Sequence, residues 1–216
     1  MSKCSNDIDI ASLDAVLFSF YWSDIRSLKE YLAQHAQEWN GAFSEDVNIN
    51  PLLNLQYAYN PNPQRATFFS VEKNTTIMFP NLQDGWRTLF NNIAHGLKTK
   101  ACCITIMDDK KMIDSANYFH YVEDSFVRTI YTIKENKWAF FEQGSPLSFE
   151  NTAYYTAKQK KERLNKRIML EYCESLGIIK NGIISLAPNN AFSFEMFWTG
   201  KFTDNKGFGR TSLVRK

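Results

Sequence analysis

Short runs of apolar and β-branched residues recur through the middle of the chain. They are RATFFSVE, TTIMF, ACCITIM, ANYFHYV, SFVRTIYTI and KWAFFEQ. Aromatic and β-branched residues favour strands, so each run predicts a β-strand. The last two runs are joined across Lys134 to Lys137, which predicts a β-hairpin. Nearer the N-terminus, DAVLFSFYW is almost entirely apolar and predicts a buried strand.

Two other segments have the spacing of amphipathic helices. Residues 23–40 place one set of apolar side chains on a single face: Ile25, Leu28, Leu32, Ala36 and Trp39. Ser23 is the candidate N-cap, and Gly41 follows the end of the segment. Residues 85–98 have a similar stripe, with Asp84 as the capping candidate: Trp86, Leu89, Phe90, Ile93 and Leu97. We expect both helices to face the core.

A third helical pattern lies within the stretch YYTAKQKKERLNKRIMLEYCESLG, residues 154–177. Its second half has a continuous apolar face and a glycine stop: Leu164, Ile168, Met169, Tyr172, Cys173, Leu176 and Gly177. The stretch is either one helix over residues 152–176 or two helices broken at Asn165. Asn165 is a good N-cap, and Leu164 and Met169 have the spacing of a hydrophobic staple around it.

Together these elements predict an α+β fold of mainly antiparallel β-sheet, with about five to seven strands and three or four helices on one face. Closely spaced strands without β-helix-β alternation favour this fold over a doubly wound parallel sheet. The alternating segment AFSFEMFWTG predicts one more strand. We expect residues 1–200 to form a single α+β domain. Residues 201–216 are predicted to be a tail that is either flexible or an extension of a sheet edge.

The composition is that of a folded protein: 44% of the 216 residues are hydrophobic, which is enough to fill a core. No apolar run approaches the roughly 20 residues needed to cross a bilayer, and the N-terminus MSKCSNDIDI is polar. We therefore expect a cytoplasmic protein without membrane association. The four cysteines lack metal-binding spacing, so reduced and mostly buried thiols are expected.

No catalytic motif is present in the sequence. His35, His95 and His120 are far apart and have no carboxylate or thiol motif beside them. The carboxylate pairs Asp108-Asp109 and Glu123-Asp124 coincide with predicted turns, where solvated acids are common. We therefore predict no catalytic, cofactor-binding or metal-binding residues and expect that the chain is not an enzyme.

Charge is distributed unevenly although the net charge is only +2. Residues 1–60 carry 3 basic and 8 acidic groups, whereas residues 151–216 carry 12 and 5. The densest cluster of cations is a candidate partner-binding site: Lys158, Lys160, Lys161, Arg163, Lys166 and Arg167. This basic 158–167 segment could bind nucleic acid or an acidic protein. Alternatively, Glu142, Glu150 or the acidic N-terminal third could neutralise it within the molecule.

The region from Lys137 to Gly177 resembles the immunity proteins of bacterial polymorphic toxins and contact-dependent inhibition systems. The matching positions are Trp138, Phe141, Gly144, Pro146, Leu147, Phe149, Glu150, Tyr155, Arg163, Leu164, Tyr172, Leu176 and Gly177. They suggest a scaffold of strand, glycine turn, loop and helix, with an internal ion pair between Arg163 and Glu150. The resemblance implies a protein that neutralises one cognate toxin by stoichiometric binding. The alternative prediction is a nucleic-acid-binding module that uses the basic 158–167 segment.

Overall fold

A computed structural model describes residues 7–44, 47, 61–72, 74–82, 84–107, 116–134 and 136–197. The predictions for Asp108-Asp109 and for the tail 201–216 lie outside the described residues. No helix in the described ranges combines the length and apolar content that a membrane crossing requires.

The described ranges contain eleven strands in two antiparallel sheets. They are β1 (Asp7–Asp9), β2 (Ala15–Tyr21), β3 (Gly41–Ser44), β4 (Gln64–Ser70), β5 (Thr76–Pro80), β6 (Ala101–Met107), β7 (Ala116–Glu123), β8 (Phe126–Lys134), β9 (Trp138–Gln143), β10 (Ile183–Ser185) and β11 (Ala187–Met196). The main sheet has nine strands in the order β3-β11-β4-β5-β2-β6-β7-β8-β9, and β1 pairs with β10. The antiparallel α+β prediction is confirmed, but the expected five to seven strands are too few. Strands β1, β3 and β10 are only three or four residues long, too short to produce a clear alternation.

Three α-helices lie in the described residues: α1 (Ile25–His35), α2 (Arg87–Gly96) and α3 (Lys166–Ser175). The N-cap of α1 is Asp24, not Ser23, because the Asp24 carboxylate accepts from the backbone N–H of Arg26 and Ser27. The predicted N-cap of α2 at Asp84 is also wrong, because Trp86, with a φ of 50°, occupies the N-cap position. Asp84 instead accepts from the Trp86 N–H, two residues later. Of the two alternatives for residues 152–176, the structure has the break at Asn165, whose side chain caps α3 by accepting from the Ile168 N–H at 3.1 Å. The residues before the break form two 3₁₀ turns and not a first α-helix.

The helices pack on both faces of the main sheet, not on one face as expected. On one face, α1 and α2 bury Leu28 and Phe90 against strand residues that include Tyr21 and Phe68. On the opposite face, α3 and the β1-β10 pair cover a second core that contains Phe18. All seven residues of β2 and of β6 are consequently buried.

Strands β7, β8 and β9 form one side of the main sheet, and the chain returns across them after β9. Gly144 begins this return with a φ of +84°. Two 3₁₀ turns follow, at Thr152–Thr156 and Lys160–Glu162, before α3 begins. The second 3₁₀ turn packs against β8 and β9, which places the basic 158–167 segment beside the last strand of the sheet.

Candidate partner-binding surface

A buried arginine fixes the returning chain to the sheet. Arg128 lies on β8 and its side chain is 1% exposed. Its Nε and Nη2 donate to the Glu150 carboxylate at 2.7–3.2 Å, and Nη2 also donates to Glu142 at 2.8 Å. Nη1 donates to the carbonyl oxygens of Gly144 at 2.7 Å and Gln143 at 3.4 Å. Each arm of the guanidinium therefore has an acceptor, as a buried cation requires.

Two tyrosines extend this network from Glu150 into the core. The Tyr155 hydroxyl donates to Glu150 at 2.6 Å and lies 2.6 Å from the hydroxyl of Tyr172 on α3. Because Tyr155 has one hydroxyl hydrogen, Tyr172 donates to Tyr155. Burial, together with the hydrogen bond to Glu150, raises the pKa of Tyr155 above its usual value. Burial also raises the pKa of Tyr172 to about 12. Both hydroxyls therefore stay protonated at neutral pH.

The electrostatics of Arg128 favour its charged form. Burial by itself lowers the pKa of the guanidinium, but the hydrogen bonds from Arg128 to Glu150 and Glu142 outweigh it. The net pKa lies above the usual value for arginine. Arg128 is thus a permanent cation, and it holds the strand, the loop and the 3₁₀ turn together.

Gly144 permits the close approach of the loop to β8. A Cβ atom at this position would lie 2.1 Å from the Val127 carbonyl oxygen. Further along the loop, the backbone N–H of Leu147 donates to Glu150 at 3.0 Å. The loop is therefore held at both ends of its turn, by its backbone and by the Arg128 network.

Three of the six predicted partner-binding cations are bound within the molecule. Arg163 donates from Nε to the Ala157 carbonyl at 2.9 Å, and its guanidinium lies 5.5 Å from the centroid of the Phe140 ring. Lys166 donates to the Leu13 carbonyl at 2.6 Å. Arg167 donates to Glu171 one helical turn later.

The expected ion pair between Arg163 and Glu150 is wrong. The Glu150 carboxylate is occupied by Arg128, Tyr155 and the loop backbone. The expectation that Glu142 and Glu150 neutralise the basic segment is also wrong, because both carboxylates bind Arg128. Glu150 does form an internal ion pair, but its partner is Arg128 on β8, which lies outside residues 137–177.

The other three predicted cations lie at the surface. Lys158 and Lys160 are exposed, and within the described residues their side chains have no hydrogen bond or ion pair. Lys161 is half-buried, with its Nζ 3.9 Å from the Glu162 carboxylate. Within the described residues, Arg163, Lys161, Lys166 and Arg167 therefore each have a side-chain partner, whereas Lys158 and Lys160 do not.

A ladder of three aromatic rings crosses β7, β8 and β9 on the face that α1 and α2 cover elsewhere. Tyr118, Tyr131 and Phe141 are directly opposed in register. The rings of Tyr118 and Tyr131 stack at 6.4 Å, and those of Tyr131 and Phe141 at 5.0 Å. The Arg87 guanidinium covers the inner end, 4.0 Å from the Tyr118 ring centroid. The outer end is open, since Phe141 is 40% exposed.

Two of the three histidines, His35 and His120, pack against aromatic rings. The Nδ1 atom of His120 and the Thr129 hydroxyl form a hydrogen bond of 2.8 Å, and the His120 ring packs edge-on against Phe90. Burial, with smaller contributions from Arg87 and His95, lowers its pKa to about 4, so it is neutral at pH 7. His35 contacts the Tyr31 carbonyl and stacks on Trp39. No group of three or more potential metal ligands occurs in the described part of the chain.

A shallow depression of about 330 Å³ lies at the end of α2. Its lining includes His95, Lys98 and Asp124. These side chains are exposed, and Asp124 lies in the turn between β7 and β8, where the sequence placed it.

No protein-family model matches the chain, and no curated protein or solved structure is significantly similar to it. The resemblance to immunity proteins therefore stays a prediction. Its matching positions can nevertheless be placed in space, and several meet in the Arg128 network: Gly144, Leu147, Glu150, Tyr155 and Tyr172.

Arg128 itself was not identified from the sequence, although a signal was present. In the strand SFVRTIYTI it shares the inward-facing positions with Ile130 and Thr132. A charged residue at a core-facing strand position is rare unless it is paired, so it indicates a buried carboxylate elsewhere in the chain.

Proposed function

We propose that this chain is an immunity protein, which neutralises a cognate bacterial toxin by binding it stoichiometrically. The observation that carries the proposal is that Gly144 and Glu150, two positions of the immunity-protein pattern, bind Arg128, and that Tyr155, a third position, binds Glu150. In this chain these positions form one connected structural unit. This supports a shared scaffold.

The surface that this scaffold presents is suited to binding a protein. The Arg128 network holds the part of the returning chain from Gly144 to Tyr155, and Arg163 holds the following segment, with Lys158 and Lys160, beside β9. The exposed ring of Phe141 adds apolar area on the neighbouring face, and aromatic residues contribute strongly to protein interfaces. Because the lysines and the aromatic ring are held on a packed scaffold, less conformational entropy is lost on association.

The test is co-expression with the product of the adjacent reading frame. We expect the chain to restore growth of cells that produce this toxin and to form a stable complex with it in size-exclusion chromatography. The variant Lys158→Glu/Lys160→Glu should weaken the complex, whereas Lys180→Glu, a charge reversal at another exposed lysine, should not. Absence of both protection and a complex would reject the proposal.

The alternative, a nucleic-acid-binding module, is tested with the same variants. Arg163 and Lys166 donate to backbone carbonyl oxygens, which leaves fewer cations for phosphates than the sequence suggests. Binding to labelled DNA or RNA that falls steeply with salt and is lost in Lys158→Glu/Lys160→Glu would favour this alternative.

A further inference from the structure

Strand β9 is the terminal strand of the main sheet at the side of the candidate surface. It pairs with β8 alone, and within the described residues no backbone hydrogen bond reaches its outer edge. Alternate N–H and C=O groups of a terminal strand point away from the sheet and can accept another strand.

The edge of β9 lacks the features that usually prevent such pairing. Its sequence, WAFFEQ, has no proline and no lysine. The single charged residue, Glu142, is held by Arg128. The strand forms regular pairs with β8 from Trp138 to Gln143, so no bulge turns it away.

Cations flank this edge. Lys137 is exposed at the hairpin end of β9, and Lys158 and Lys160 are exposed on the segment that packs against the strand. The contact of Arg163 with Phe140 fixes this segment to β9. An incoming chain would therefore meet open backbone groups on a strand whose neighbourhood has three exposed lysines and whose one carboxylate, Glu142, is paired with Arg128.

The aromatic ladder also ends at this edge. Phe141 is its outermost ring and stacks only on Tyr131 among the rings of the described residues. An additional strand would place a side chain directly opposite Phe141 and continue the ladder, a contact that stabilises paired strands.

We propose that β9 is a docking edge on which an acidic, extended segment of a partner protein adds as a further antiparallel or parallel strand. The inference rests on the proposed function, since the toxin is the partner expected there. Charge identifies the occupant: two copies paired through their β9 edges would bring Lys158 and Lys160 of each copy close to the same cations of the other. An acidic segment avoids this repulsion and neutralises the lysines.

The experiment measures amide hydrogen exchange by NMR with a short peptide of alternating glutamate and valine as the probe. In the free protein, the outward-pointing amides of β9 should exchange rapidly. The peptide should protect them and leave the exchange of β8 amides unchanged. Lys158→Glu/Lys160→Glu should weaken peptide binding about tenfold, because each exposed pair contributes up to a few-fold. A peptide of alternating lysine and valine should not bind.

A matched pair of variants separates edge pairing from packing on the open face. Phe141 on β9 and Val127 on β8 are almost equally exposed, at 40% and 41%. Phe141→Ala should weaken peptide binding about threefold through loss of the cross-strand contact. Val127→Ala should leave it unchanged. Equal effects of the two substitutions would indicate binding to the face and overturn the proposal.

The remaining outcomes are also decisive. Peptide binding without protection of β9 amides, or no peptide binding at all, overturns the proposal. Protection that rises with protein concentration in the absence of peptide would identify a second copy as the occupant and overturn the acidic partner. A toxin complex that leaves β9 unprotected would contradict this inference and retain the proposed function. Peptide-induced protection of β9 without any toxin complex would support the docking edge and contradict the proposed function.

Discussion

Replacement of Arg128 by methionine tests the network that organises the candidate surface. Methionine replaces the aliphatic part of the arginine side chain and has no charge, so it fills part of the space and removes every donor. The change would leave the Glu150 carboxylate, whose side chain is fully buried, with only the Tyr155 hydroxyl and the Leu147 N–H as partners. It would also leave the Gly144 carbonyl without the donor it has now.

The magnitude follows from burial on both sides of the pair. Removing one partner of a buried ion pair costs about 3–5 kcal/mol, because the other charge stays desolvated. Glu150→Gln should cost about 2 kcal/mol, since Arg128 keeps Glu142 and Gly144 as acceptors. Glu142→Gln should cost at most about 1 kcal/mol, as this side chain is 42% exposed.

The assay is urea unfolding, followed by both tryptophan fluorescence and far-UV circular dichroism so that coincident transitions can be checked. In the double variant Arg128→Met/Glu150→Gln, the loss should be about 2 kcal/mol smaller than the sum of the single losses, because no buried carboxylate is stranded. Additive losses, or an Arg128→Met variant within about 1 kcal/mol of the wild type, would refute the reasoning.

Three further predictions concern other parts of the structure. The pKa of His120 is about 4 in the folded protein against 6.5 ordinarily, so the unfolded chain binds the proton first as pH falls. The stability that neutral His120 contributes is therefore complete above pH 6.5 and is lost as the pH falls towards 4. The loss should be at most about 3 kcal/mol. In unfolding experiments, His120→Gln should flatten this part of the pH profile. Gly177→Ala should cost about 1 kcal/mol, because its φ is +71° but no atom lies within 4 Å of the new Cβ. Gly144→Ala should cost clearly more, because its new Cβ would also meet the Val127 carbonyl oxygen. Equal losses of stability in thermal unfolding would contradict this contact. Burial raises the pKa of the Cys103 thiol to about 11 and also raises the pKa values of Cys102 and Cys173. A thiol reagent should therefore label these three cysteines only after unfolding, and rapid labelling of any of the three in the native protein, located by peptide mass spectrometry, would contradict their burial.

Local patterns in the sequence were sufficient for many of the individual elements. The β8-β9 hairpin, the buried strand β2 and the helix faces were predicted, and a break at Asn165 was one of two alternatives, whereas the short strands β1 and β3 were not predicted. Periodicity and capping depend on residues only a few positions apart, and such residues stay neighbours in any fold.

The layer arrangement was predicted incorrectly, although the sequence held a clue. A strand covered on one face alternates, whereas ACCITIM in β6 is apolar throughout. A continuous apolar strand indicates cover on both faces, and the helices do lie on both. The short edge strand β3 offered no comparable pattern, because its pairing with β11 joins residues far apart in the chain.

The candidate surface also combines a feature that local sequence reveals with contacts that only the folded chain makes. The sequence was enough to locate the basic segment, because clustered cations are visible without a fold. Which of those cations face solvent depends on side chains brought close by the return of the chain over β8 and β9. Arg128 forms ion pairs with Glu142 and Glu150, and Lys166 donates to the Leu13 carbonyl oxygen. Lys158 and Lys160 lie at the surface. Such pairings depend on strand register and loop path, which no local pattern specifies, and they therefore emerged only once the chain was folded.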